Sequence, residues 1–144
     1  MKIKVFVKGE GRRPFYATNG AAGADVCAKL EKSIVIHPLQ LQVIPTGLFF
    51  EIPEGYEIQV RPRSGLAAKH GITVLNTPGT IDSDYRGQLS VILINHSTTP
   101  FEVTDGMRIA QIVLASVLQG EFETVQELST SCRGEGGFGH TGVN

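Results

Sequence analysis

The apolar residues of this chain recur at every second position. In KIKVFVK, residues 2–8, Ile3, Val5 and Val7 share one face of an extended segment. YEIQV repeats the pattern with Tyr56, Ile58 and Val60, and SIVI, LQVI, GLFFEI, ITVL, QLSVILIN, FEV and IAQIVLASV are further short runs of strand-forming composition. Turn signals separate them: HP at 37–38, IPTG at 44–47, IPEG at 52–55, TPG at 77–79 and DG at 105–106. A period of two leaves almost no amphipathic helix, so strands must supply the core. Many short strands at this spacing predict an all-β sandwich or jelly-roll barrel. VILI at 91–94 is apolar on both faces and predicts a central strand covered on both sides. The helical candidate is SGLAAKHG, residues 64–71, with Ser64 as N-cap and Gly71 as the stop.

A chain of 144 residues fits one domain with a real core, and 41% hydrophobic with 19% charged residues is ordinary globular composition. A formal net charge of -1 with scattered Lys and Arg argues against a nucleic-acid surface. The absence of Trp argues against an aromatic stacking platform. Cys27 and Cys132 are far apart with no C-x-x-C, which disfavours a disulfide framework and a thiolate zinc site and fits a reducing cytoplasm. The opening residues develop no apolar run of the signal-peptide kind, and no stretch has the apolar length of a membrane span. STSCRGEGGFGHTGVN, residues 129–144, is polar and Gly-rich with a single aromatic, Phe138. It reads as a flexible C-terminal arm behind a β domain over residues 1–128.

Several stretches can carry chemistry. RPRSGLA, residues 61–67, ends a strand and opens the short helix, whose first N–H groups favour anions. Arg63 adds a planar, permanently charged fork and Ser64 a hydroxyl, so the segment describes a phosphate cradle. A capped surface helix with a solvated arginine would read the same. In NTPGTIDSDYRG, residues 76–87, a Pro78-Gly79 turn followed by the strand GQLSVILIN implies a stiff β-hairpin. Asp82 and Asp84 would share one face of an extended segment there, and a carboxylate so placed can take a proton from water. A solvated charged turn is the competing reading. AGADV, residues 22–26, sets Asp25 among small residues that let a ligand or another chain approach, although such an Asp also caps ordinary loops. In RIAQIV, residues 108–113, Arg108 and Gln111 interrupt an apolar strand as satisfied core groups or inward ligand contacts. The four histidines show no metal-ligand spacing.

In order along the chain, AGADV, RPRSGLA, NTPGTIDSDYRGQL, GMRIAQIV and RGEGGFGHTG resemble the five motifs of the trimeric dUTP diphosphatase (dUTPase) family, over residues 22 to 142. The resemblance implies a β-clip or distorted jelly-roll subunit in a homotrimer. It implies hydrolysis of dUTP to dUMP and pyrophosphate with Mg2+, which keeps uracil out of DNA and supplies dUMP for thymidylate synthesis. It also implies sites built between subunits, with the arm closing over one of them and no nucleic-acid or membrane partner. By match of position, Asp82 is the carboxylate that activates the water attacking the α-phosphorus. Asn76, Thr80, Ile81 and Ser90 form the uracil-recognising wall. Tyr85 packs on the deoxyribose and excludes a 2′-hydroxyl. Arg63, Ser64 and Gly65 form the phosphate cradle, and Gln111 contacts the phosphate chain. Arg133 clamps the γ-phosphate, and Phe138 with Gly139 covers the uracil. Asp25 is implied as an acid at the metal's water shell. Two positions depart from the pattern: His140 stands where many members carry a hydroxyl residue, and residues 105–107 read DGM where others have a Gly-Asp pair. A dCTP deaminase shares the implied fold and cradle but lacks the IDSDYRG and RGEGGFG patterns. A regulatory protein that only binds nucleotide would need neither Asp82 nor an intact arm. Release of pyrophosphate, ammonia or neither separates the three.

Overall fold

The two-residue period becomes strands almost throughout. The computed structural model describes residues 2–142; Met1 and the last two positions of the arm, Val143 and Asn144, lie outside the described residues. The elements in chain order are β1 (Phe6–Lys8), β2 (Ala24–Cys27), β3 (Ile34–Ile36), β4 (Leu41–Glu51), β5 (Tyr56–Arg61), α1 (Ser64–His70), β6 (Ile72–Val74), β7 (Gly79–Ile81), β8 (Gln88–Asn95), β9 (Phe101–Val103) and β10 (Arg108–Ser116). They form a sheet of order β1-β4-β8-β6, a second of order β2-β10-β5-β7 and a small pair β3-β9, with every pairing antiparallel. Buried Ile36, Ile44, Leu48, Leu89, Leu93 and Ile109 are among the largest side chains of the shared core. Each contributes roughly 1.5–3 kcal/mol by leaving water. Among the described residues, no helix is long and apolar enough to cross a membrane.

Four local expectations change. IPTG is not a turn: β4 runs through it, and a register shift against β8 between Pro45 and Leu48 absorbs Pro45 and Gly47 as a bulge. Gly47 has φ 66, and the buried Thr46 hydroxyl donates to the Leu89 carbonyl at 2.6 Å. Ser64 is not the N-cap. Arg63, extended at φ -94 and ψ 127, caps α1 without a side-chain hydrogen bond, and Ser64 is the first helical residue. Gly71 closes the helix in the left-handed region, as its sequence position predicts. The stretch 76–87 is not a β-hairpin, because β7 pairs with β5 in one sheet while β8 pairs with β4 and β6 in the other. It is a sheet-to-sheet corner, and Asp82 and Asp84 sit in its turn rather than on an extended face. Finally, β8 is central but covered on one side only: Leu89, Val91 and Leu93 are buried, while Ile92 and Ile94 on the other face are half-buried.

Both cysteines are free; Cys27 is buried and Cys132 exposed. Burial pushes the Cys27 thiol above its ordinary pKa, partly offset by the Arg12 guanidinium, which keeps it an unreactive core group. The regular structure ends at Ser116, and residues 117–135 are all exposed. DGM forms a tight turn in which Gly106 has φ 75 and the Asp105 carboxylate accepts the Leu30 N–H at 2.8 Å, so this departure has a structural use of its own.

The buried amide of Asn95 organises the end of β8. Its Nδ2 donates to the carbonyls of Ile36 and Thr99, both at 2.8 Å, and its Oδ1 accepts from the Ser97 N–H and hydroxyl. Asn95→Ala would strand these groups, so urea unfolding should show a loss of about 2–3 kcal/mol. An unchanged midpoint would mean that water replaces the amide without cost.

Candidate active site

Three of the motif segments meet at one end of the β2-β10-β5-β7 sheet. Gln111 on β10 stands opposite Asp25 on β2 and opposite Arg61 on β5, so the pairing register alone places the three segments side by side. The Gln111 amide lies against Gly23, where any Cβ would overlap its oxygen, and its Nε2 donates to the Pro62 carbonyl at 3.0 Å. The small residue of AGADV therefore makes room for the polar residue of RIAQIV. Asp25, largely buried, accepts from Arg63 Nε at 3.3 Å through one oxygen and from Arg108 Nη1 at 3.2 Å through the other. Two cations around one carboxylate leave local positive charge. Beside Arg63 lies the exposed start of α1 at Ser64 and Gly65, whose N–H groups have no side-chain cap. This end of the sheet is built to receive an anion.

The corner that carries Asp82 is also rigid, but it lies elsewhere. The Tyr85 N–H donates to the Asp82 carbonyl at 3.2 Å, and Arg86 Nη1 donates to the carbonyls of Ser83 at 2.6 Å and Tyr85 at 3.1 Å. Asp82 and Asp84 are exposed and face an open cleft of about 890 Å³ that Glu51, Glu54 and Glu57 also line, with Arg86 as its cation. So acidic a cleft repels a polyphosphate. Arg63, Ser64 and Gly65 do not line it. Ile58 pairs with Ile81, so Glu57 stands beside Asp82. From Glu57 to Arg63 the chain is extended, which at about 3.3 Å per residue separates Asp82 from Arg63 by roughly 20 Å. One chain therefore does not bring its carboxylate to its own cradle.

The other sequence-predicted residues divide between these places. The chain leaves β6 along the edge of β8, where the Leu75 N–H donates to the Ile92 carbonyl at 2.9 Å, and then crosses to β5 as β7. Asn76 packs against Gly79, and Thr80 and Ile81 lie on β7, the outermost strand of its sheet. Ser90 sits on β8 two positions from Ile92, on the half-buried face. In the arm, Arg133 Nε donates to its own Gly136 carbonyl at 2.7 Å, while Phe138 is fully exposed and has φ 45. His140 lies over Gly136, so the imidazole at the second departure packs within the arm. The sequence reading left the role of Arg108 open and passed over Arg86 and Gly87. Arg108 becomes legible only through Asp25, far away in sequence.

The fold and the paired arginines beside α1 do not by themselves name a function, and comparison with known proteins supplies the family. The family model described as dUTPase matches residues 10–142. A deoxyuridine 5'-triphosphate nucleotidohydrolase of Chlamydia pneumoniae is 60% identical over 93% of this chain and 93% of that protein. One from Cytophaga hutchinsonii is 54% identical over 97% of this chain and 91% of that protein. Among solved structures, the G164S mutant of the Staphylococcus bacteriophage 80alpha dUTPase with dUpNHpp superposes with a TM-score of 0.89 at 26% identity, covering 99% of this chain and 100% of that one. The chain belongs to the dUTPase family.

The Asp25 bridge gives a direct test. Asp25→Ala should lower unfolding stability by about 1 kcal/mol, since both arginines remain partly solvated. In a double-mutant cycle with Arg63→Ala the two losses should not add. Full additivity would mean that the bridge contributes nothing.

Proposed function

We propose that this dUTPase hydrolyses dUTP to dUMP and pyrophosphate in sites shared between the subunits of a homotrimer, with the cradle of one chain facing the Asp82 corner of another. The observation that carries this reading is the roughly 20 Å between Asp82 and Arg63 within one chain. Two exposed apolar surfaces support it. Leu41 and Val43 on β4 stand beside Ile94 and Ile92 on the outward face of the first sheet. Leu118, Phe122 and Leu128 lie almost bare on the segment that leaves the barrel. Such surfaces mark contacts with other chains, and a head-to-tail contact that closes on itself makes equivalent sites.

In such a site, Arg63, the Ser64 hydroxyl and the N–H groups of Ser64 and Gly65 hold the phosphates, and Gln111 adds an amide contact. Asn76, the backbone at Thr80 and Ile81, and Ser90 read the uracil edge. A fixed edge of this kind rejects the amino group of cytosine and the methyl of thymine. Tyr85 packs on the deoxyribose. Asp82 takes the proton from the water that attacks the α-phosphorus, and the stiffness of its corner keeps that water in line. Arg133 closes on the γ-phosphate, while Phe138, aided by the freedom of Gly139, covers the base.

Among the described residues, no three His, Cys, Asp or Glu side chains gather into a metal cage. A single carboxylate already paired with two arginines fits a Mg2+ held by substrate phosphates and touched by Asp25 only through water. Bound there, the ion would neutralise charge on the phosphate oxygens. The free thiols of Cys27 and Cys132 fit the cytoplasm, where the reaction keeps uracil out of DNA and supplies dUMP for thymidylate synthesis.

Asp82→Asn should cut turnover by roughly 10²–10⁴ while dUTP still binds. Mixing it with Arg63→Ala chains, each inactive alone, should restore activity in about a quarter of the sites of a random one-to-one mixture. No recovery after verified subunit exchange would place both groups of a site in one chain. Deleting residues 133–144 should leave the barrel folded, because every core residue precedes the cut, yet lower turnover by on the order of 10². Full activity of the shortened chain would make the arm a bystander.

A further inference from the structure

The corner after Asp82 contains a glycine with no conformational reason to be one. Gly87 is not among the glycines with positive φ, so its backbone would accept any L-residue. What it lacks is space: a Cβ at position 87 would overlap the Tyr85 hydroxyl and the adjoining ring carbons. The Tyr85 ring lies on the bare Gly87 backbone, and its hydroxyl donates to the Gln88 carbonyl at 3.1 Å. Gln88 is held in turn, because its side-chain oxygen accepts the Gly47 N–H at 2.9 Å, in the bulge of β4. The ring is thus seated below by Gly87, tied at its tip to β8, and left 45% exposed above.

We infer that Gly87 is a positioning residue for sugar discrimination: by giving the Tyr85 ring a seat without a side chain, it sets the height of the surface that meets the nucleoside sugar. This inference rests on the reading that Tyr85 packs on the deoxyribose, and it adds the residue that fixes where. A methyl group at position 87 must lift the ring, because the clashing atoms are the free end of a side chain and yield before backbone does. Lifting the tip also breaks the bond to the Gln88 carbonyl, and the ring then no longer holds the wall against which a 2′-hydroxyl collides. The consequence is selective. Phosphate binding and the Asp82 water do not involve Gly87, whereas the discrimination between a deoxyribose and a ribose does.

The test is the ratio of kcat/KM for UTP to that for dUTP in Gly87→Ala, Tyr85→Ala and the double variant, each confirmed folded by its urea midpoint. Tyr85→Ala removes the ring and should raise the ratio by about 10- to 100-fold, and Gly87→Ala should raise it by about 10-fold. In the Tyr85→Ala background, Gly87→Ala should change nothing further, because no ring remains to be lifted. Gly87→Ala that fails to fold while the double variant folds would show the same clash by another route. A ratio unchanged in Gly87→Ala but raised in Tyr85→Ala would overturn the seat and leave the sugar contact standing, as would an equal fall for both substrates. A ratio unchanged in Tyr85→Ala would overturn the sugar contact and the inference with it.

Discussion

The long antiparallel pairing of β4 with β8, from Leu41 opposite Ile94 to Phe49 opposite Gln88, is the joint on which the chain's fold hangs. It buries Ile44, Leu48, Leu89, Val91 and Leu93 on one face, and β1 and β6 attach to its two edges. The bulge at Pro45–Leu48 is what makes it more than a flat ribbon. There the Thr46 hydroxyl and the Gly47 N–H are satisfied by residues at the start of β8, the Leu89 carbonyl and the Gln88 side chain. That start is also where the chain arrives from Asp82 and Tyr85, so the bulge fixes the base of the corner carrying the proposed chemistry. The accuracy of an exposed turn comes from a buried irregularity in a neighbouring strand.

Charge is sorted between two places on the surface of the chain, with Arg86 the one cation, among the described residues, that lines the acidic cleft. Asp25 holds Arg63 and Arg108 side by side beside the start of α1, an arrangement that concentrates positive charge without burying any of it unpaired. The Asp82 corner instead faces Glu51, Glu54 and Glu57. A polyphosphate would be drawn to the first place and repelled from the second. The proposed site between chains would join these two unlike places, bringing the carboxylate of one chain to the arginines of another.

The strands were legible because a period of two survives most local noise: Tyr56, Ile58 and Val60 and the alternation along 88–95 appear in the fold, and Ile3, Val5 and Val7 keep their alternating burial although only Phe6–Lys8 of that run is strand. The misreadings share one cause, which is that local chemistry is ambiguous about partners. Pro45 and Gly47 have the composition of a turn but sit in a bulge, because the hydroxyl of Thr46 and the side chain of Gln88 supply what the irregular backbone lacks. Pro78 sits in a bend and Gly79 opens β7, yet nothing in these residues says that the strands on either side belong to different sheets. Of the site, the cradle residues and their company with Asp25 and Gln111 follow from the motifs, and register explains their meeting. The distance between Asp82 and Arg63 was invisible, since it depends on how far β5 extends beyond its pairing with β7. Arg86 and Gly87 escaped because the contacts that mark them, to the Ser83 and Tyr85 carbonyls and to the Tyr85 ring, are with neighbours that only the fold reveals.

The outermost position of β7 has one more implication. Its unpaired edge presents amide hydrogens and carbonyl oxygens that are the same whatever side chains stand at Thr80 and Ile81. A recognition surface made of main chain cannot be rewritten by ordinary substitution; only a proline deletes a donor from it. Whatever such an edge presents is insulated from mutational drift, whereas the side chains beside it can change without altering that row of donors and acceptors.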